Sequence, residues 1–265
     1  MILVIDIGNT TVCLGGVDVD GVQYSVHFTT KMDTVCYWDT ADYTVRILRA
    51  LHEQKVKTSD FSGVVISSVV PKVLSVIYEA SCSIFCVKPL VIHEKIHLGI
   101  SLDVSEPDKV GKDRLVDSAW AAAHYPLPVV TADLGTATTL NVILRGGVFI
   151  GGVISAGMDT GLKALASRTA QLPKLKLRVP NRIIGKNTEE CMISGAVMGT
   201  AGLLDGLVAG IEEELGEQVT LVITGGGAGY VDHLIRHPHV LDENMILKGL
   251  AYLYVLNCGK EQSFL

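Results

Sequence analysis

Apolar residues open the chain in a short unbroken run, residues 1–5, which meets a carboxylate at Asp6. A run of that length and β-branched content predicts a buried strand. Two more strands are predicted at 12–19 and 23–30, joined at the hairpin signal Asp20-Gly21. The period then lengthens. Val45, Ile47, Leu48 and Leu51 predict the buried face of a helix over 40–54. Residues 61–70 form another apolar strand, stopped by Pro71, before a helix at 72–81 and a strand-like stretch at 82–92. A polar loop at 108–114 leads into a helix over 113–124.

The opening pattern then returns. Residues 128–132 are an apolar strand ending in Asp133, followed by strands at 139–144 and 148–154 around the turn Arg145-Gly146-Gly147. Asp6-Ile7-Gly8-Asn9-Thr10-Thr11 recurs as Asp133-Leu134-Gly135-Thr136-Ala137-Thr138-Thr139. Each copy follows an apolar strand and precedes another. The economical reading is an α/β chain of two similar domains, 1–117 and 118–265, with mixed sheets flanked by helices. The second half continues with a helix at 157–170, a Pro-bounded extended segment at 173–184 and a long apolar helix at 188–215. A strand at 219–224 runs into Thr224-Gly225-Gly226-Gly227-Ala228-Gly229, and 245–258 reads as a closing helix with Ile246, Leu250, Leu253 and Val255 inward.

Composition narrows the function. The net charge is −6, against the basic face that nucleic-acid binding needs, although a local basic patch could still be present. Hydrophobic residues at 48% and charged residues at 19% argue against disorder. The start of the chain lacks a basic signal-peptide region, and no apolar run approaches the length of a spanning helix, so a cytoplasmic location with no membrane partner is expected. The six cysteines are scattered and read as reduced thiols, with Cys82 and Cys86 read as core packing. His93, His97, His233, His237 and His239 are read as surface residues, the last three lacking an acidic partner nearby in the sequence. Glycine is in excess, 27 of 265 residues, and clusters where the chain turns.

Those turns carry the candidate chemistry. In a strand ending Asp-x-Gly-x-Thr, the glycine admits a phosphate close to backbone N–H groups. The hydroxyls add donors, and the carboxylate suits Mg²⁺ or its waters. Two such loops can grip a triphosphate from two sides. The third glycine-rich loop, 224–229, reads as a close approach to the sugar or base of a nucleotide. Neither a P-loop nor the Gly-x-Gly-x-x-Gly signature of dinucleotide folds occurs. At Val110-Gly111-Lys112-Asp113-Arg114 a helix N-terminus favours anions. Asp113 could take a hydroxyl proton and Arg114 steady a phosphate or substrate, or the pair could be a helix-start carboxylate beside a solvated guanidinium.

In order, Asp6-Ile7-Gly8-Asn9-Thr10, Ser67-Ser68-Val69-Val70-Pro71, Gly111-Lys112-Asp113-Arg114, Asp133-Leu134-Gly135-Thr136-Ala137-Thr138, Gly151-Gly152-Val153-Ile154, Gly185-Lys186-Asn187-Thr188 and Ser194-Gly195 resemble the motifs of type III pantothenate kinases. The resemblance implies an actin-like, ribonuclease H-like fold with a cleft between its domains. It implies transfer of phosphate from ATP to pantothenate, the first step of coenzyme A biosynthesis. It also implies a homodimer built through the second domain. By the same resemblance Asp6, Ile7, Gly8, Asn9, Thr10, Thr11, Val12, Cys13 and Thr136 bind ATP, with Asp6 near the Mg²⁺-phosphate. Asp133 binds a monovalent cation, potassium or ammonium; Gly111, Lys112, Asp113 and Arg114 bind pantothenate, with Asp113 the proton acceptor. Thr188 reaches pantothenate across the dimer interface.

The chain departs from the family pattern at three places. Lys112 replaces an alanine, Val104 a tyrosine, and Ser155-Ala156-Gly157 lacks the family's proline. Two other readings therefore stand beside the kinase: a non-catalytic transcription accessory factor on the same fold, and a kinase for a related hydroxy acid.

Overall fold

The computed structural model describes residues 1–258. The last stretch of the expected second domain, 259–265, lies outside the described residues. The chain divides into two compact units. One contains residues 1–101, 105–120 and, of the described residues, 244–258; the other contains 102–104 and 121–243. The closing helix, expected with the second half, therefore lies in the first unit.

In the first unit, β1 (Ile2–Ile7), β2 (Thr11–Asp20) and β3 (Gln23–Asp33) form an antiparallel meander. After α1 (Thr40–Glu53) and a 3₁₀ turn, β4 (Gly63–Ser68) lies parallel to β1, and after α2 (Pro71–Phe85) so does β5 (Leu90–Val91) beside β4. The strand order is β3-β2-β1-β4-β5. One face packs Leu3, Ile5, Ile7, Val12 and Leu14 against α1 and α2. An Asp39–Asp42 capping box starts α1. Its inward face is Tyr43, Ile47, Ala50 and Leu51, while Val45 and Leu48, expected inside, are 65% and 42% exposed. The expected strand at 82–92 is mostly absent. The apolar stripe of α2 runs on through Phe85, Cys86 caps it in the left-handed region, and only Leu90–Val91 pairs. Cys86 is thus exposed rather than core.

The other face of this sheet is covered by α7 (Met245–Cys258). A Cβ on Gly15 would meet Leu247, and one on Gly63 would meet Tyr254. Helix α3 (Lys112–His124) closes on α7 at Gly249, where a Cβ would lie 2.7 Å from Val116. Trp120 on α3 packs edge-on to Tyr24 at 5.1 Å and Tyr252 at 6.3 Å. This aromatic cluster ties α3 to β3 and α7, and so fixes the helix whose N-terminus carries Asp113.

The second unit repeats the plan. β7 (Val129–Leu134), β8 (Ala137–Leu144) and β9 (Val148–Ala156) form the meander. β10 (Thr220–Thr224) lies parallel to β7, and β11 (His239–Leu241) parallel to β10. The order is β11-β10-β7-β8-β9, the first sheet's sequence of roles, with the short β6 (Ser101–Leu102) added at the edge. The internal echo is thus a repeat of topology as well as of motif. Helices α4 (Met158–Arg168) and α5 (Thr188–Leu215) connect β9 to β10, and the short α6 (Ala228–Val231) precedes β11. Residues 173–184, expected as an extended segment, form neither helix nor strand.

Val197, Ala201, Leu204 and Val208 of α5 pack on Val130, Ala132 and Ile223 of this sheet. The expectation that no segment matches a spanning helix needs amendment. By length and composition α5 could cross a membrane, with 39% of its most apolar window buried. Gly195, Gly199, Gly202, Gly206 and Gly210 interrupt the apolar run, and each has open space where a Cβ would stand.

Candidate functional site

The first loop sits at the carboxyl end of β1. Gly8 N donates to Thr11 O at 3.0 Å, closing the turn around Asn9 and Thr10, both exposed. Thr34, beyond the end of β3, holds it from outside: its hydroxyl donates to Gly8 O at 2.7 Å and its N–H to Thr10 O at 3.0 Å. Thr34 escaped the sequence reading because it lies far from the motif. Ile7 and Val12 are fully buried in the core and anchor the two stems. Asp6 stands on the opposite face, between Cys13 on β2 and Ser67 on β4. Burial, then the nearby Asp6 carboxylate, push the Cys13 thiol up, against a hydrogen bond with Thr29 and the charge of Lys31.

The second loop repeats the row. Asp133 stands between Thr139 on β8 and Thr224 on β10. Its turn is shorter, Gly135 N donating to Ala137 O at 2.9 Å across Thr136. Gly157 N and the Thr160 hydroxyl both donate to Thr136 O, at 3.1 and 2.6 Å. Gly157 stands where the family's proline motif ends, and a Cβ on it would run into Gly135 O and Thr136 O. The third loop docks here too. Gly227 N donates to Leu134 O at 2.8 Å, and a Cβ on Gly225 would run into Asp133 Oδ1 and lie 2.7 Å from Leu134 N. Gly225 has φ +89°, a conformation glycine adopts without strain. The close approach expected of this loop toward a nucleotide is thus, at Gly225 and Gly227, an approach to protein backbone. Gly226 and Gly229 have open space where a Cβ would stand.

The third group opens α3. Leu115 N donates to Gly111 O at 3.2 Å, so Gly111 is where the helix begins. The Asp113 carboxylate folds back, accepting from Arg114 N at 2.8 Å, and a Cβ on Gly111 would crowd it at 2.5 Å. Arg114 is half-buried rather than solvated. Burial lowers its guanidinium and the Asp113 charge opposes that shift, which leaves a cation at any physiological pH. Lys112 turns away, its Nζ 3.0 Å from Glu94 Oε2.

Thr188 is exposed at the first turn of α5, after Asn187, whose side chain caps Glu190 N. With Leu165 of α4 and Met192, Gly195 and Leu203 of α5, it lines an apolar cavity of about 1000 Å³. Val104, at the family's tyrosine position, lies against Gly151.

The residues fit a nucleotide-borne cation. Mg²⁺ bound with phosphates needs one or two carboxylates and keeps several waters. Asp6 offers one such carboxylate, and the adjacent Ser67 Oγ is fully buried without a protein hydrogen bond. Among the described residues no three His, Cys, Asp or Glu side chains form an all-protein cage.

A sequence model of type III pantothenate kinases matches residues 2–210. The type III pantothenate kinase of Finegoldia magna is 33% identical over 260 residues, 97% of this chain and 98% of that one. The type III pantothenate kinase of Caulobacter vibrioides is 35% identical over 260 residues, again 97% and 98%. This chain belongs to the type III pantothenate kinase family. Membership makes it a kinase by class. Among solved structures it is similar to a conserved Campylobacter jejuni protein assigned to the Baf family of transcriptional activators. That match has a TM-score of 0.57 and 17% identity, covering 99% of this chain and all of the other. The ethanolamine utilization protein EutJ of Carboxydothermus hydrogenoformans matches at TM-score 0.52 and 13% identity, over 95% and 89%. At these identities the structural matches establish the fold alone, the two-sheet actin-like architecture.

Two of the histidines read as surface residues are mostly shielded and paired. His237 Nε2 lies 3.1 Å from Glu212 and His239 Nε2 3.2 Å from Asp232, with the rings only 18% and 13% exposed. Glu212 lies on α5, out of reach of a local scan, whereas Asp232 stands only 7 residues before His239 and could have been found. The acidic chain also has a basic stretch: Lys174, Lys176, Arg178, Arg182 and Lys186 are all exposed.

Proposed function

We propose that this kinase transfers the γ-phosphate of ATP to the terminal hydroxyl of pantothenate, giving 4′-phosphopantothenate for coenzyme A biosynthesis. The observation that carries the reading is the repeated row. Two equivalent strands end in a carboxylate and a glycine turn, and a separate helix start presents Asp113 and Arg114. Asp6 through Cys13 and Thr136 hold the triphosphate, chiefly through turn N–H groups and hydroxyls. Asp6 would hold Mg²⁺ carried with ATP and Asp133 a monovalent cation, and these ions would supply positive charge beside the phosphates. Asp113 has one carboxylate oxygen on Arg114 N and the other available to the substrate hydroxyl. It accepts the hydroxyl proton as the oxygen attacks phosphorus in line and ADP departs. Arg114 steadies the transferring phosphate or the substrate carboxylate. Gly111 keeps space beside Asp113 for that encounter.

We place the enzyme in the cytoplasm as a homodimer. The outer side of α5 supports the dimer: Gly195, Gly199, Gly202, Gly206 and Gly210 all face open space, beside the apolar cavity that Thr188 lines. A second copy covering that side would bury this glycine face and the cavity beside it, Thr188 included. The reading of the chain as a transcription accessory factor has only fold-level likeness behind it, and Asp6, Asp113, Arg114, Asp133 and Thr136 are all present.

The test is ADP release measured with pantothenate, pantoate and simple sugars, each with and without potassium. Release stimulated by pantothenate and further by potassium supports the reading. Stimulation by another hydroxy acid alone would replace the substrate, and none with any acceptor would favour the regulator.

A further inference from the structure

Lys112 sits between Gly111 and Asp113, at the mouth of the loop assigned above to an anionic substrate. An ammonium there has two options. It can face the substrate carboxylate, or it can be neutralised within the protein. Its Nζ lies 3.0 Å from Glu94 Oε2 and donates to the Asp108 carbonyl at 3.1 Å. The two side chains are only 20% and 18% exposed. The neighbouring Lys109–Glu106 pair, at 68% and 60%, is in open solvent, where such a pair holds little. The shielded pair instead joins segments 18 residues apart. It ties the turn around Glu94 to both ends of the 108–112 loop.

We infer that Lys112 and Glu94 form a latch that positions the substrate loop, and that the Lys112 ammonium does not touch the substrate. The latch fixes the direction in which Asp113 and Arg114 leave the start of α3. The Glu94 carboxyl is held below its usual range, first by its own backbone N–H and then by Lys112. The inference rests on the pantothenate reading for its kinetic consequence but not for its structural one.

Two measurements test it. Hydrogen exchange on the substrate-free enzyme reads the loop amides Lys109 and Val110, which donate to Glu106 O and Pro107 O. Lys112→Met and Glu94→Gln should each speed their exchange about tenfold, and the double variant no further. Steady-state kinetics should show each single change raising the pantothenate KM by a similar factor, about five- to tenfold, with the ATP KM unchanged. Exchanging the charges, Lys112→Glu with Glu94→Lys, should restore most of the loss. A direct substrate contact gives a different pattern: Lys112→Met weakens pantothenate, Glu94→Gln leaves or tightens it, and the exchange rescues nothing. That pattern, or unchanged exchange in both single variants, overturns the latch. Should the wild type not phosphorylate pantothenate, the function assigned above fails while hydrogen exchange still decides the latch.

Discussion

After β1 the chain turns through Gly8, Asn9 and Thr10 and re-enters its sheet at Thr11; after β7 it turns through Gly135 and Thr136 and re-enters at Ala137. The first turn is held from outside by the side chain and N–H of Thr34. A Cβ on Gly8 would be 3.2 Å from Thr11 O, tight but adjustable. The second turn is walled in by backbone. Gly157, Gly225 and Gly227 lie so close that none has room for a methyl group. Both turns therefore carry a threonine pin, Thr34 on Gly8 O in the first and Thr160 on Thr136 O in the second, but only the second is also packed in by glycine backbone. A pinned loop can lose its pin and sag, whereas a walled loop cannot accept even one added carbon without moving main chain.

That difference is sharpest at Gly225. Gly225→Ala adds a methyl against Asp133 Oδ1 at a φ of +89°. It should cost about 2–4 kcal/mol of stability, seen as a lower Tm, and abolish ATP-dependent turnover. Next comes the first loop. Thr34→Val removes the hydroxyl donated to Gly8 O and should cost about 1 kcal/mol. Calorimetric titration should show ATP binding several-fold weaker. A larger loss from Thr34→Val than from Gly225→Ala would reverse the comparison.

Acid probes a further contact of the second unit. Glu212 on α5 is held below its usual range by Val219 N–H first and by His237 after desolvation's opposing effect. A carboxyl depressed in the folded state stabilises above its unfolded pKa and loses that contribution as pH falls through the folded value. Glu212→Gln should therefore lower stability at pH 7 and flatten the acid decline below about pH 4.5, where the unfolded Glu protonates. Parallel acid curves for wild type and variant would remove Glu212 from that account. The smallest effect is expected one residue from the largest. A Cβ on Gly226 meets nothing within 4 Å, so Gly226→Ala should shift stability by under about 0.5 kcal/mol.

Much of this was legible in the chain because it is local. The Asp-x-Gly turns, the flanking strands and α5, found at Thr188–Leu215 as its spacing predicts, follow from runs of adjacent residues. The repeat of the motif foretold the repeat of the sheet. What escaped was the tertiary surroundings. Thr34 reaches back to Gly8 across two strands, and Glu212 meets His237 from another element. Residues 82–85 look strand-like alone, yet they continue α2 because the helix still has core to cover. Resemblance places Lys112 among the pantothenate-binding residues, and its partner at Glu94 could not be seen without the fold.

The central claim is that Asp113 takes the proton of a pantothenate hydroxyl while both glycine loops hold ATP. The most direct measurement follows 4′-phosphopantothenate by mass spectrometry for the wild type and Asp113→Asn, with ATP affinity measured on the same samples. The account predicts product from the wild type, a fall in kcat of about 10²–10⁴-fold in the variant, and ATP affinity within about twofold. Near-full product formation by Asp113→Asn, with ATP still bound, would contradict it.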